Sequence, residues 1–183
     1  MRRWLIPVLV IVPILLAAGW LAWFSPWLAV NQVQVTVTSA ISGTVSRGVR
    51  YIEAGVVQYL FDIISPCGVM MRLDHLRELS PKFAAIAATL PPAAETTQTT
   101  QLTGYSVSAG ETIATAVGMN ANVSFDFGIY DLRSRNPATA QMTGELRPYG
   151  ICWLDSLPTA DSQRVRALPA ADGVMGKTSD YCR

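Results

Sequence analysis

At 183 residues, with a net charge of +1, the chain has room for one membrane segment and one modest domain, not for two full domains. So balanced a charge, with no lysine- or arginine-rich run, excludes the usual footprint of a nucleic-acid-binding surface and gives no acidic tail. Half of the residues are hydrophobic, and much of that share lies at the N-terminus.

Residues 4–24, "WLIPVLVIVPILLAAGWLAWF", carry no charge, and about 20 apolar residues in helical rise span the hydrocarbon core of a bilayer. Pro7 and Pro13 are tolerated in a membrane helix. Trp4 marks one end, and Trp20, Trp23 and Trp27 cluster at the other, as aromatic residues do at the two interfaces. Arg2 and Arg3 precede the stretch and no Lys or Arg follows until Arg47. The positive-inside rule therefore predicts residues 1–3 as a cytoplasmic tail, 4–24 as a single transmembrane helix, and the remainder as an extracytoplasmic part facing the periplasm from the inner membrane. A cleaved signal peptide fits less well, because Leu16 stands where the "LAAG" site needs a small residue.

"NQVQVTVTS" alternates, with Val33, Val35 and Val37 on one face, and predicts a half-buried strand. In "SGTVSRGVRYIEAGVVQYLFDIIS" the glycines break a possible helical stripe and β-branched and aromatic residues dominate. Two strands are expected, about 44–52 and 56–64, turning near Ala54 and Gly55. "GVMMRLDHL" is a further strand. "RELSPKFAAIAATL" predicts a helix capped by Ser80 with Pro81 in its first turn, and "PPAAETTQTTQ" a polar loop. "GYSVSAGETIATAVG" and "ANVSFDFGIYDL" read as strands. The expected fold is a mainly β domain over residues 31–155 with one inserted helix, followed by a tail over 156–183.

Three cysteines follow the apolar segment: Cys67, Cys152 and Cys182. In an oxidising compartment one disulfide and one spare thiol are expected. Pairing Cys152 with Cys182 closes a loop of roughly 30 residues, worth a few kcal/mol, and tethers the tail.

The order "SAISGTVS…YLFDIIS…VMMRLDHLRELSP…VSAGETIATAVG…NVSFDFGIYD" resembles the core of the M23 peptidases, the LytM or lysostaphin-like family. Gly43 and Val45 match the family's first turn, "LDHL" stands where "Y-x-H-L" belongs, and Gly110 and Gly118 are kept in the following hairpin, with Ala114 in place of a glycine. The likeness covers roughly residues 33 to 132 and implies a small LytM-like barrel or sandwich. It also implies that the enzyme's zinc ligands are gone. The family's "H-x-x-x-D" would fall in the membrane segment, where there is no histidine, and its "H-x-H" aligns with Asn122, Val123 and Ser124. Only His75 survives, at a position that assists catalysis and does not bind metal. One histidine cannot supply the ligands of the family's zinc site, so no metal and no cofactor is expected.

The implied function is that of a membrane-anchored binding or scaffold protein, catalytically inactive, whose partner is a cell-wall peptide or an envelope protein. Its groove would be lined by His75, Asn122, Ser124 and Asp126. The alternative is a cell-wall hydrolase with a rearranged site around His75. Other chemistries find less support. Asp126 and Asp131 lie five apart and should face opposite sides of a strand, which argues against a glycosidase pair. No "GxSxG" elbow accompanies Ser106, Ser108 or Ser124. Nothing marks Cys67 as an activated partner for His75. Tyr105, Tyr130 and Tyr149 are core or edge residues before they are stacking platforms.

Overall fold

The computed structural model describes residues 33–118, 125–139 and 142–167. The expected membrane segment, Asn122, Ser124 and Cys182 lie outside them. Among the described residues no helix is long and apolar enough to cross a membrane. Among the described residues the fold is mainly β, with eight antiparallel strands and two α-helices.

Strand β1 (Val33–Thr38) pairs with β7 (Thr112–Val117). Strands β2 (Gly43–Glu53), β3 (Val56–Ile64) and β4 (Val69–Leu76) form a continuous meander. The β2–β3 turn falls at Ala54 and Gly55, as expected. Both residues have positive φ, 49° and 75°, as a two-residue loop matched to strand twist requires. The short strands β5 (Thr100–Gln101) and β6 (Ser106–Val107) add to the free edge of β2. Strand β8 (Phe127–Asp131) pairs with the first part of β4.

On the far side of β4 from β3 the partner changes. Val69 to Leu73 face β8, from Asp131 back to Phe127, whereas Leu76 faces Val117 of β7. Asp74 and His75 occupy the fork between these two partners. This fork positions the site described below.

Helix α1 (Pro81–Ala87) lies against one face of the sheet, with Phe83 and Ile86 buried. Phe83 meets Phe61 edge-on, with ring centroids 5.2 Å apart, an aromatic pair worth about 1 kcal/mol beyond the area it buries. Around them Val45, Ile63, Met71, Leu73, Leu76, Ile113 and Ala114 complete the main core. A smaller cluster, Val49, Tyr51 and Leu60, occupies the other face. Because β3 is central, it is covered on both sides, and its Asp62 is fully buried. Arg72 on β4 donates Nε and an Nη to the two Asp62 oxygens at 2.7 and 2.8 Å. A buried carboxylate needs such a bidentate partner to offset its desolvation.

Helix α1 is inserted in the β-domain as expected, and the region read as a tail adds a second helix, α2 (Thr159–Arg166). That helix buries none of its residues; it has no apolar stripe to betray it, only Asp161 in its first turn and Arg164 and Arg166 in its last. Of the alternating run up to Asp131, the described part is Phe125 and Asp126 followed by a strand that begins at Phe127. On β1, Val37 is buried but Val35 is 42 % exposed. Register shifts between Gln34 and Val37 and between Val37 and Thr38 break the alternation that placed the two valines on one buried face.

Candidate functional site

Neighbouring side chains on a regular strand point to opposite faces. Strand β4 departs from this at its end. Tyr59 faces Leu76 and Phe61 faces Leu73, so β4 carries one more residue than β3 between these pairs, and the extra residue sits in a bulge. His75 adopts φ of 60°, a left-handed conformation that histidine tolerates better than most side chains. Bulges re-aim side chains in this way. Here the bulge lets the adjacent Asp74 and His75 serve one cluster. The His75 carbonyl accepts the backbone N–H of Gly118 at 2.9 Å, and the Asp74 N–H donates to the Asp126 carbonyl at 2.9 Å. Each arm of the fork thus holds one of the two residues.

Around them the hydrogen bonds form a directed network. Tyr51 Oη donates to Asp74 Oδ1 at 2.7 Å, and the same oxygen accepts the backbone N–H of His75 at 2.7 Å. His75 Nδ1 lies 2.7 Å from Gln58 Oε1 and 3.1 Å from Tyr51 Oη. Gln58 is fully buried, and its Nε2 donates to Glu53 Oε2 at 3.3 Å. That contact fixes the amide orientation and turns its carbonyl toward the ring. The Tyr51 proton is already committed to Asp74. In the singly protonated ring the proton between Nδ1 and its two neighbours therefore belongs to Nδ1, which leaves the lone pair on Nε2. Nε2 faces Asp126 Oδ2 at 3.8 Å.

Burial raises the Asp74 carboxyl above the usual range, although the hydrogen bonds from Tyr51 and the His75 N–H and the nearby imidazole oppose the shift. The Tyr51 phenol is raised too, first by burial and then by its bond to the Asp74 carboxylate. It stays a donor over all ordinary pH.

Beside this network lies an open cavity of about 670 Å³ lined by Tyr51, Glu53, Asp74, His75, Glu95 and Thr96, among others. Its outer wall is the segment expected as a polar loop. That segment is held along β2 by the Ile52 N–H to Ala94 carbonyl bond at 2.8 Å. Three of the lining residues are acidic, and Asp126 adds a fourth carboxylate nearby. The only basic group in the lining is His75, so the local field favours a cationic ligand.

Of the residues expected in the groove, His75 and Asp126 come together. Asn122 and Ser124 lie outside the described residues. Asp131 is separate, paired to Arg133 Nε at 2.8 Å, which holds its carboxyl down at about 2. Tyr105 packs against the main core, Tyr130 pairs across to Met70, and Tyr149 lies under the Arg135 guanidinium; none lines the cavity. Cys67 is a free thiol in the turn before β4, about 20 Å along the strand from His75 at ordinary strand rise, too far for a dyad. It accepts or shares a hydrogen with Ser65 Oγ at 3.0 Å. Tyr51, Gln58 and Glu53 were not singled out from sequence. Their only signal there is the hairpin register, which puts Tyr51 opposite Gln58 and Glu53 opposite Val56.

The zinc-binding set implied by the M23 resemblance does not fit, because the sequence has no histidine besides His75. Comparison with protein-family models, with curated proteins and with solved structures finds no match to this chain.

Proposed function

We propose that this chain is a membrane-anchored binding or scaffold module, built on an M23-like β-domain that no longer hydrolyses cell wall. The apolar segment at residues 4–24 would hold the domain at the outer face of the inner membrane. The single observation that carries the reading is the groove itself: an open, acidic cavity at the strand fork with one imidazole whose Nδ1 is tied to a buried amide. Such a groove favours a ligand bearing a positive charge, and a cell-wall peptide with a free amino group has that chemistry.

The test is calorimetric titration of the full chain in detergent with soluble cell-wall peptides, in native and amine-acetylated form, alongside chromatography of the peptides after incubation. The reading expects binding of the native peptide, at least tenfold weaker binding of the acetylated one, and no cleavage. Absence of binding sinks it.

A second reading, a hydrolase rearranged around His75, draws on the oriented ring and the hydrogen-bonded Tyr51–Asp74 pair. Peptide cleavage that disappears in His75→Asn, with the fold intact by circular dichroism, would establish that reading in place of the first. Asparagine suits the left-handed backbone at this position.

A further inference from the structure

Asp74, His75 and Asp126 each offer one donor atom, and the three atoms lie within 4.8 Å of one another. We infer that these three side chains form a binding site for one divalent transition-metal ion, zinc foremost, at the inner end of the acidic groove. This deepens the binding-module reading by naming a ligand of the same groove. Its donors are not those that the M23 resemblance implies.

Proximity alone would not carry this. The orientation of His75 is an independent observation. With Nδ1–H directed at the Gln58 carbonyl, the Nε2 lone pair faces a carboxylate oxygen at 3.8 Å. The gap is longer than a hydrogen bond, and among the described residues no other protein donor is recorded between the two atoms, so one cation can bridge them. Two ligands each about 2.1 Å from a shared metal lie about 3.4 Å apart at the tetrahedral angle, so the gap closes onto an ion with a shift of a few tenths of an ångström. Metal-ligating histidines commonly donate their other N–H to a carbonyl or carboxylate, which fixes the ring and its tautomer. Gln58, itself pinned by Glu53, supplies that function here.

Asp74 is supported in the same manner. Its Oδ1 takes hydrogen bonds from Tyr51 and from the His75 backbone, which hold the carboxylate in place. Asp126, with its side chain 65 % exposed, closes the site from the solvent side. Its backbone position is set by the carbonyl bond to the Asp74 N–H. The bulge at His75 is what makes the arrangement possible, since a regular strand would send Asp74 and His75 to opposite faces. One imidazole and two carboxylates suit zinc, cobalt or manganese better than calcium, which prefers six or more oxygens. Three protein ligands leave a coordination position open toward the cavity, where a carboxylate or amide of a bound peptide could reach it.

The experiment uses the full chain in detergent, stripped with a chelator, and the metal alone as probe. Zinc binding is measured by competition with a chromophoric chelator, and cobalt substitution by visible absorption. The expected result is one zinc per chain and a cobalt spectrum of four-coordinate intensity. Asp126→Asn, at an exposed position where folding is not at stake, should weaken zinc at least tenfold, and His75→Asn should abolish the cobalt bands. Zinc uptake below one per chain overturns the inference, as does uptake that both variants leave unchanged. Peptide titrations with and without zinc keep the two proposals apart. Zinc uptake without peptide binding sinks the binding module and leaves the metal site standing. Peptide binding in a chain that takes up no zinc does the reverse.

Discussion

Ser80 shows how far a single residue can be read from sequence. Its place ahead of Pro81 marks the start of α1, and the backbone agrees: Ser80 is the N-cap and its carbonyl accepts the Ala84 N–H at 2.8 Å. The side chain does not cap. Its Oγ is buried without a partner. A working serine cap is worth about 1 kcal/mol, whereas an unpaired buried hydroxyl costs free energy. Ser80→Ala is therefore expected to change stability by less than about 0.5 kcal/mol or to raise it, contrary to the usual loss on removing a cap. Urea unfolding checks this; a loss of 1 kcal/mol or more would mean that the hydroxyl does cap the helix. His75 and Asp126 were legible as candidate site residues for a simple reason: one is the sole imidazole and the other lies in a motif-bearing run. Tyr51, Gln58 and Glu53 were not, because their role comes from hydrogen bonds across a hairpin and past a bulge. No local pattern encodes that bulge.

Among the elements, the β2–β3 hairpin was the most legible. Its turn lies where Ala54 and Gly55 predicted it, and its strands extend one residue or less beyond expectation at most ends. Helix α2 was illegible because nothing on it is buried. The glycines of the hairpins separate two kinds of constraint. A Cβ on Gly43 would lie 2.2 Å from the Ile64 carbonyl oxygen, so the start of β2 tolerates no side chain. Gly110 has φ of 82° and open space where its Cβ would be, so substitution there meets only backbone strain. Gly43→Ala is expected to lose about 3 kcal/mol, and Gly110→Ala about 1–2 kcal/mol. Equilibrium unfolding of the pair decides it: a smaller loss at Gly43 than at Gly110 would contradict the close approach of β2 to the end of β3.

For the molecule as a whole, the mainly β character was legible in the alternating and β-branched runs. The sheet order was not, since it depends on pairings such as β1 with β7 that join distant parts of the chain. The buried Asp62–Arg72 pair links the two central strands of this arrangement. Arg72→Ala leaves a fully buried carboxylate without its bidentate partner and is expected to cost about 3–5 kcal/mol. Replacing both residues together, as Asp62→Leu with Arg72→Met, should recover most of that loss. Thermal unfolding of the single and double variants measures the difference. A single variant as stable as the parent would show that the pair contributes nothing to the fold.

The fork in the sheet has one more consequence. Asp74 and His75 arrive on the third strand of the meander, Tyr51 on the first, and Asp126 roughly fifty positions later, just ahead of the last strand to join. No fragment short of most of the domain can display the cluster, and contacts of such long sequence separation form late and slowly. The cluster is thus an internal certificate of completed folding: any partner that reads it greets only finished molecules and passes over nascent or damaged ones.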